Sequence, residues 1–295
     1  MSIIEKAIGK LDSLEEQGIV ERKRRRAAEQ EWSESDRFKG DIVSLDDQES
    51  VSRLRYMELA RAAGCLAPEE QFQRAVDEYR RIKRPLVTNA FGKQKKLVKN
   101  GRLIAVTSSV PDEGKTYTSV NLGLSLAREM DYSVVLVDAD AIKGDLTRVF
   151  GLEENLGLMD LLLNQNLKVA DILVKTDLAN LSILPIGGIS EHSNELLASD
   201  LMRSLIDSLL AEEENRMILF DSPPVLASPE ATVVTSYAGQ VVMVVEAVKT
   251  PKDFVLAALE NFNDAQAVNL VLNKAHRSLG LDPYYGEYYY RYYND

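Results

Sequence analysis

Between Leu103 and Asn273 the chain repeats one pattern, a short apolar run rich in β-branched residues followed by an amphipathic stretch. The runs are LIAVTS, SVVLVDAD, LSILPIG, MILFDSPP, QVVMVVEA and AVNLVLN, and ASDLMRSLIDSLL is one of the stretches between them. A strand that is apolar at nearly every position has no solvent face, so it belongs in a sheet covered on both sides. Strands that alternate with helices pair in parallel, because each crossover returns the chain to the same end. The pattern therefore predicts an α/β fold, a mostly parallel sheet with helices on both faces. Its ligands would bind at the carboxyl ends of the strands.

The rest of the chain narrows the function classes. A length of 295 residues with 45% hydrophobic content suits one main core with extensions. A formal net charge of -11 argues against a general nucleic-acid binder, which needs a basic face for phosphate contacts. Cys65 is the single cysteine, and His192 and His276 are far apart, so neither a disulfide framework nor a Cys/His metal cluster can be assembled. At the N-terminus Ile4, Ala7, Ile8, Leu11 and Leu14 have helical spacing, and Glu5 and Lys6 interrupt any signal-like run. Residues 18–52 read as a charged linker that contains ERKRRR at 21–26, either a solvated face or a contact for an anionic membrane or acidic partner. A helix is expected from Pro68 to Lys83, with Phe72, Ala75, Val76, Tyr79 and Ile82 on one face and Pro85 as its stop.

The chemistry gathers at three strand ends. The first apolar run leads into SSVPDEGKT, which matches G-x-x-x-x-G-K-[ST] except that Ser109 replaces the first glycine, with Gly114, Lys115 and Thr116 in register. Backbone N–H groups of such a loop and of the helix behind it form an anion site, Lys115 reaches the outer phosphates, and Thr116 binds Mg²⁺. Asp138 and Asp140 stand two residues apart at the end of the second run, so both carboxylates lie on one side of an extended strand tip. Asp221 ends the fourth run, where a carboxylate can hold the water shell of Mg²⁺. Any one aspartate could cap a helix; three beside a phosphate loop point to a metal–nucleotide site.

These motifs carry a resemblance. SSVPDEGKT, VVLVDAD, ILFDSPP, EYRRIKR at 78–84 and the tyrosine-rich end together resemble the bacterial tyrosine autokinases of exopolysaccharide synthesis, from about Glu69 to the C-terminus. The opening MSIIEKAIGKL is similar to that of the separate cytoplasmic kinases associated with exosortase-linked loci. The resemblance implies a P-loop NTPase-like kinase that uses ATP and Mg²⁺. Ser109, Asp112, Glu113, Gly114, Lys115, Thr116, Tyr117 and Asn273 would hold the nucleotide, and Thr116, Asp138 and Asp221 the metal. Lys115 would stabilise the transferring group, with Asp138 or Asp140 as base. The acceptors would be Tyr284, Tyr285, Tyr288, Tyr289, Tyr290, Tyr292 and Tyr293, entering a neighbouring subunit's site. Glu78, Arg81 and Arg84 would join subunits into a ring. Asn273 has a helix- or loop-capping reading beside its adenine one. Two departures stand out. The family commonly has glycine where this chain has Asp112, a residue type that tolerates left-handed backbone, and AIKGDLTR replaces an Arg-rich stretch after Asp140.

The implied organisation is an N-terminal amphipathic segment and charged linker over 1–67, a kinase domain over 68–276, and a flexible tyrosine-rich tail over 277–295. The implied partners are a separate transmembrane polysaccharide co-polymerase, which the N-terminal segment could contact, and a tyrosine phosphatase. That places the chain in the cytoplasm, peripheral at the inner membrane. The competing reading is a partitioning or positioning ATPase on the same sheet. Those enzymes carry a lysine five residues before the loop lysine, where this chain has Val110. A nonenzymatic nucleotide binder with an adhesive tail is the third reading.

Overall fold

The computed structural model describes residues 53–92, 98–164, 166–188 and 192–275. The N-terminal amphipathic segment, the ERKRRR run, His276 and the tyrosine cluster lie outside them. All six predicted runs are strands: β1 Leu103–Ser108, β2 Ser133–Asp138, β4 Leu181–Leu184, β5 Arg216–Asp221, β6 Gln240–Glu246 and β7 Ala267–Asn273. A two-residue strand, β3 Val174–Lys175, had no sequence signature and adds the only antiparallel pairing among the described strands. The sheet order is β3-β4-β2-β5-β1-β6-β7. The phosphate-loop strand β1 sits between β5 and β6. The chain runs from β1 to β2 on one side and from β5 past β1 to β6 on the other, and the crevice opens at the carboxyl ends of β1 and β5 where these connections part.

Alternate residues of the strands feed two cores. Leu103, Ala105, Val135, Val137, Ile218 and Phe220 pack under α5 Leu158–Leu163, α7 Ser193–Leu197, α8 Asp200–Glu212 and α9 Pro229–Tyr237. Ile104, Val106, Val134, Leu136, Met217 and Leu219 pack under α1 Tyr56–Ala62, α2 Glu69–Phe91, α3 Lys115–Ala127 and α4 Asp145–Val149. The short α6 Val169–Ile172 adds Val169 and Ile172 to the first core, and α10 Lys252–Leu259 covers β6 and β7. Burying both faces in this way supplies the main driving force, roughly 1.5–3 kcal/mol for each large apolar side chain. Among the described residues no helix is long and apolar enough to cross a membrane.

Two expectations are corrected. Pro85 does not stop the second helix, which runs on to Phe91 with the proline inside it. Contacts distant in sequence hold the second half. Leu86 is buried, Gln240 Nε2 donates to Leu86 O at 2.9 Å, Asn89 donates to Gln240 Oε1, and Phe91 stacks on Tyr132. The folded body also starts upstream of Pro68. Tyr56 is buried in the core, its hydroxyl donates to Val120 O at 2.8 Å, and its ring packs against Phe150 at 4.7 Å. Leu54 bridges to Thr176 beside the β3 edge.

Candidate active site

The loop from Ser109 to Gly114 is shaped by two left-handed residues, Asp112 at φ 67° and Gly114 at φ 95°. Aspartate is one of the few side chains that visit this region, so the missing family glycine leaves the turn intact. At Gly114 a Cβ would lie 2.1 Å from Asn273 Nδ2. Helix α3 begins at Lys115 and points its free N–H groups into the loop, the arrangement that receives an anion.

The predicted residues then separate into three groups. Thr116 Oγ1 donates to Asp221 Oδ2 at 2.7 Å, and Ser119 Oγ donates to Asp221 Oδ1 at 2.8 Å. Lys115 Nζ lies 2.9 Å from Asp140 Oδ2 and 3.8 Å from Asp145 Oδ2. Asp138 is set apart behind them, fully buried, with Oδ2 accepting from Thr147 N (2.8 Å) and Thr147 Oγ1 (2.7 Å) and Oδ1 from Asp140 N. It thereby satisfies the third N–H of α4, the work of a helix cap.

Burial pushes the Asp138 carboxyl up to about 7, the charge of Asp221 adds to this, and the Thr147 bonds oppose it. Asp221 is also raised, by burial first, against the pull of Lys115, Thr116 and Ser119. Burial works to lower Lys115, but the carboxylates of Asp221, Asp140 and Asp145 outweigh it and hold the amine above its ordinary value. The site is thus a buried cation among three acids, ready to exchange one anionic partner for another.

Other predicted residues brace the loop through their side chains. Glu113 is buried; its carboxylate accepts from Val110 N at 2.9 Å, from Glu246 N at 3.1 Å and from the Thr250 hydroxyl, so only its backbone faces an anion. Asn273 Nδ2 donates to Glu113 O at 2.8 Å, and Lys274 Nζ donates to Asp112 O. Tyr117 is half-buried beside the loop. Ser109 Oγ is buried with no hydrogen-bond partner among the described residues. Glu78, Arg81 and Arg84 are exposed on α2, with Glu78 paired to Arg74.

Sequence reasoning missed Ser119, Thr147, Asp145, Lys143 and Arg148. Ser119 was findable, since it follows Thr116 by three residues and so shares its helix face. Lys143, Asp145 and Arg148 line a cavity of about 470 Å³ in front of Gly114, Lys115 and Thr116. Ala63 and Cys65, from the turn after α1, also line it.

The donor set fits a nucleoside phosphate with Mg²⁺. An unpartnered buried hydroxyl, a lysine on an anion loop and a Thr–Asp pair are present. Among the described residues no group of three or more His, Cys, Asp or Glu could hold a metal alone. Magnesium commonly takes one or two carboxylates and completes its shell with phosphates and water.

A model described as an AAA domain matches residues 101–274. The tyrosine-protein kinase YwqD of Bacillus subtilis is 30% identical over 184 residues, 62% of this chain and 73% of that one. The tyrosine-protein kinase wzc of Salmonella typhimurium is 31% identical over 196 residues, 65% of this chain, and the match spans only 27% of wzc. The solved BceF tyrosine kinase domain superposes with a TM-score of 0.57 at 25% identity, covering 73% of this chain and 88% of that one. With the domain model matched over more than half of its residues, and YwqD matched across most of its length, the chain belongs to the bacterial tyrosine-protein kinase family.

Proposed function

We propose that the chain is an ATP-dependent protein-tyrosine kinase that phosphorylates its own C-terminal cluster in trans. The acceptors are Tyr284, Tyr285, Tyr288, Tyr289, Tyr290, Tyr292 and Tyr293. The observation that carries this reading is the linked set of Lys115–Asp140 and Thr116–Asp221–Ser119 at an anion loop, in a tyrosine-kinase family member that carries a tyrosine cluster.

Phosphoryl transfer depends on positioning and electrostatics, so few residues suffice. Backbone N–H groups of the loop and α3 bind the phosphate chain. Thr116 and Asp221 would hold Mg²⁺, which would supply charge stabilisation to the phosphoryl oxygens. Asp138, its oxygens committed to Thr147 and Asp140, positions α4. Lys115 leaves Asp140 for the transferring group, and that exchange frees Asp140 Oδ2. A phenol is almost wholly protonated at neutral pH, its pKa being near 10, and Asp140 Oδ2 accepts that proton.

Each phosphotyrosine adds about -1.5 to -2 charges, so a modified tail is repelled by the acids of a neighbour's site. Glu78, Arg81 and Arg84 join unmodified subunits into a ring, and phosphorylation dissolves it. The cycle regulates exopolysaccharide polymerisation or export through a separate transmembrane co-polymerase and a tyrosine phosphatase. The chain works in the cytoplasm, held at the inner membrane by that partner. Incubation of the purified protein with Mg-ATP, followed by mass spectrometric mapping, should place phosphate within residues 284–293. Hydrolysis of ATP without phosphotyrosine would overturn the reading.

A further inference from the structure

Part of the wall of the phosphate-loop cavity comes from a segment outside the matched domain model. Helix α1 ends in the turn Ala63–Gly64–Cys65, and Ala63 and Cys65 line the same cavity as Gly114, Lys115 and Thr116. The turn is firmly built. Gly64 takes φ 71°, Cys65 N donates to Ala60 O at 2.8 Å, and Asn121 Nδ2 donates to both Cys65 O (2.7 Å) and Tyr117 O (2.8 Å). One side chain of α3 thus ties the turn to the helix that starts at the loop lysine.

Which reactant this wall meets follows from the chemistry. In-line transfer brings the acceptor oxygen to the side of the phosphoryl group away from the leaving oxygen, and it must reach its proton acceptor there. Asp140 and Asp145 lie on the α4 side of Lys115, and that side of the cavity is walled by α4 and the turn. Ala63, Cys65, Tyr117 and Val149 are apolar or aromatic, which suits a ring and offers nothing to a small hydroxyl side chain. Lys143 and Arg148 also line it, exposed and held only by ion pairs to Asp112 and Asp145. The Cys65 thiol is pushed up to about 11, by burial first and then by the charges of Asp221 and Asp145, so it stays neutral.

We infer that the Ala63–Cys65 turn, with Tyr117 and Val149, is the subsite that receives the acceptor phenol, and that Lys143 and Arg148 at its rim favour acidic residues beside that tyrosine. The inference rests on the kinase reading above. The acidic residues Asp282 and Glu287 flank the tyrosines of this chain.

The test fills the slot without touching the phosphate loop. Ala63 is exposed, so Ala63→Trp folds and places a ring where the acceptor ring would go. Its transfer to a tagged Lys115→Met chain, which supplies tyrosines but no activity, should fall about 10- to 100-fold, with the affinity for Mg-ATP unchanged. In a second arm the folded wild type is treated with excess benzyl methanethiosulfonate at alkaline pH, because the raised thiol reacts slowly, until mass spectrometry shows the adduct on Cys65, the single cysteine, and is then assayed at neutral pH. The same loss should appear and be reversed by dithiothreitol, which a folding defect would not allow. Nucleotide affinity falling in step with transfer would assign the turn to the nucleotide and overturn the inference, as would undiminished transfer in both arms. A wild type that binds Mg-ATP yet modifies no tyrosine would overturn the kinase reading and the subsite together.

Discussion

The phosphate loop has two unlike neighbours. Toward β6 and β7 it is fastened by fixed hydrogen bonds: Glu113 to Val110, Glu246 and Thr250, Asn273 to Glu113 O, and Lys274 to Asp112 O. Toward α4 and the Ala63–Cys65 turn it faces a cavity of about 470 Å³ crossed by ion pairs between side chains, Lys115–Asp140, Lys143–Asp112 and Arg148–Asp145. Part-buried hydrogen bonds that hold backbone groups are costly to break, whereas the exposed pairs Lys143–Asp112 and Arg148–Asp145 contribute about 0–1 kcal/mol each, and in the buried Lys115–Asp140 pair a phosphate oxygen can take the place of the carboxylate. One flank keeps the backbone in its anion-binding shape and the other rearranges around what binds. Perturbing the first should therefore damage the folded loop, and perturbing the second should damage chemistry alone.

The largest effect is expected on the open flank. Lys115→Met removes the cation shared by Asp140, Asp145 and Asp221, and those carboxyls can take up protons in its absence, so the apo protein should stay folded while tyrosine phosphorylation falls by about 10²–10³ or more. An anti-phosphotyrosine blot beside a thermal melt checks both halves. A wild-type level of phosphotyrosine would remove Lys115 from the mechanism.

The closed flank should respond in the opposite way. Glu113→Ala strips the acceptor from two backbone N–H groups and a hydroxyl, at about 1–3 kcal/mol for each group left unsatisfied. At roughly 2–4 °C per kcal/mol, a loss of about 3 kcal/mol lowers Tm by about 6–12 °C. Nucleotide affinity should fall with it, because the loop loses its shape. A variant with wild-type Tm and impaired transfer would mean that Glu113 acts on the reactants, and the contrast between the flanks would fail.

A double-mutant cycle sharpens the same contrast. Gly114→Ala meets two obstacles, the left-handed backbone and the Asn273 amide 2.1 Å from the new Cβ. The backbone costs about 1–2 kcal/mol for any residue with a Cβ. The amide obstacle vanishes in Asn273→Ala. The pair should thus be less destabilised than the sum of the single variants, as denaturant melts would read. Strict additivity would show that the amide is no part of the loop's fastening.

How much of this was legible follows from the range of each interaction. Strands and phosphate loop announce themselves locally, since apolar runs and GKT in register need no knowledge of the rest. What stayed hidden depends on contacts across the fold. The helix through Pro85 is held by Gln240, more than 150 residues away, and Tyr56 counts as core because of Val120 and Phe150. A two-residue strand such as Val174–Lys175 has no period to detect. In the site, all three strand-end aspartates were visible as a group, but their division of labour was not. Asp138 and Asp140 differ by two positions and share a strand tip, yet Thr147 takes one and Lys115 the other.

That division gives the smallest and most specific prediction, for Asp138→Asn in magnesium-free buffer. Folded Asp138 keeps its proton up to about pH 7, whereas an ordinary aspartate releases it near 3.8. Between those values the folded chain binds more protons than the unfolded one, so raising the pH across this window costs stability. Asparagine neither takes nor loses the proton, and its carbonyl can still accept from Thr147. It does lose the acceptor for Asp140 N, so at pH 5 the variant should melt slightly below wild type, by about 1 kcal/mol. As the pH rises toward 8 the wild type should fall relative to the variant by about 1.4 kcal/mol per pH unit inside the window, so the two Tm curves should cross at about pH 6. Asp221, also raised, repels the Asp138 charge; the variant lacks that repulsion, so any change in the Asp221 slope adds to the difference with the same sign. Parallel curves would mean that Asp138 is already ionised throughout the window. The carboxylate behind α4 would then be a charged member of the open flank, and the boundary between the fixed and the exchangeable parts of the site would have to move to include it.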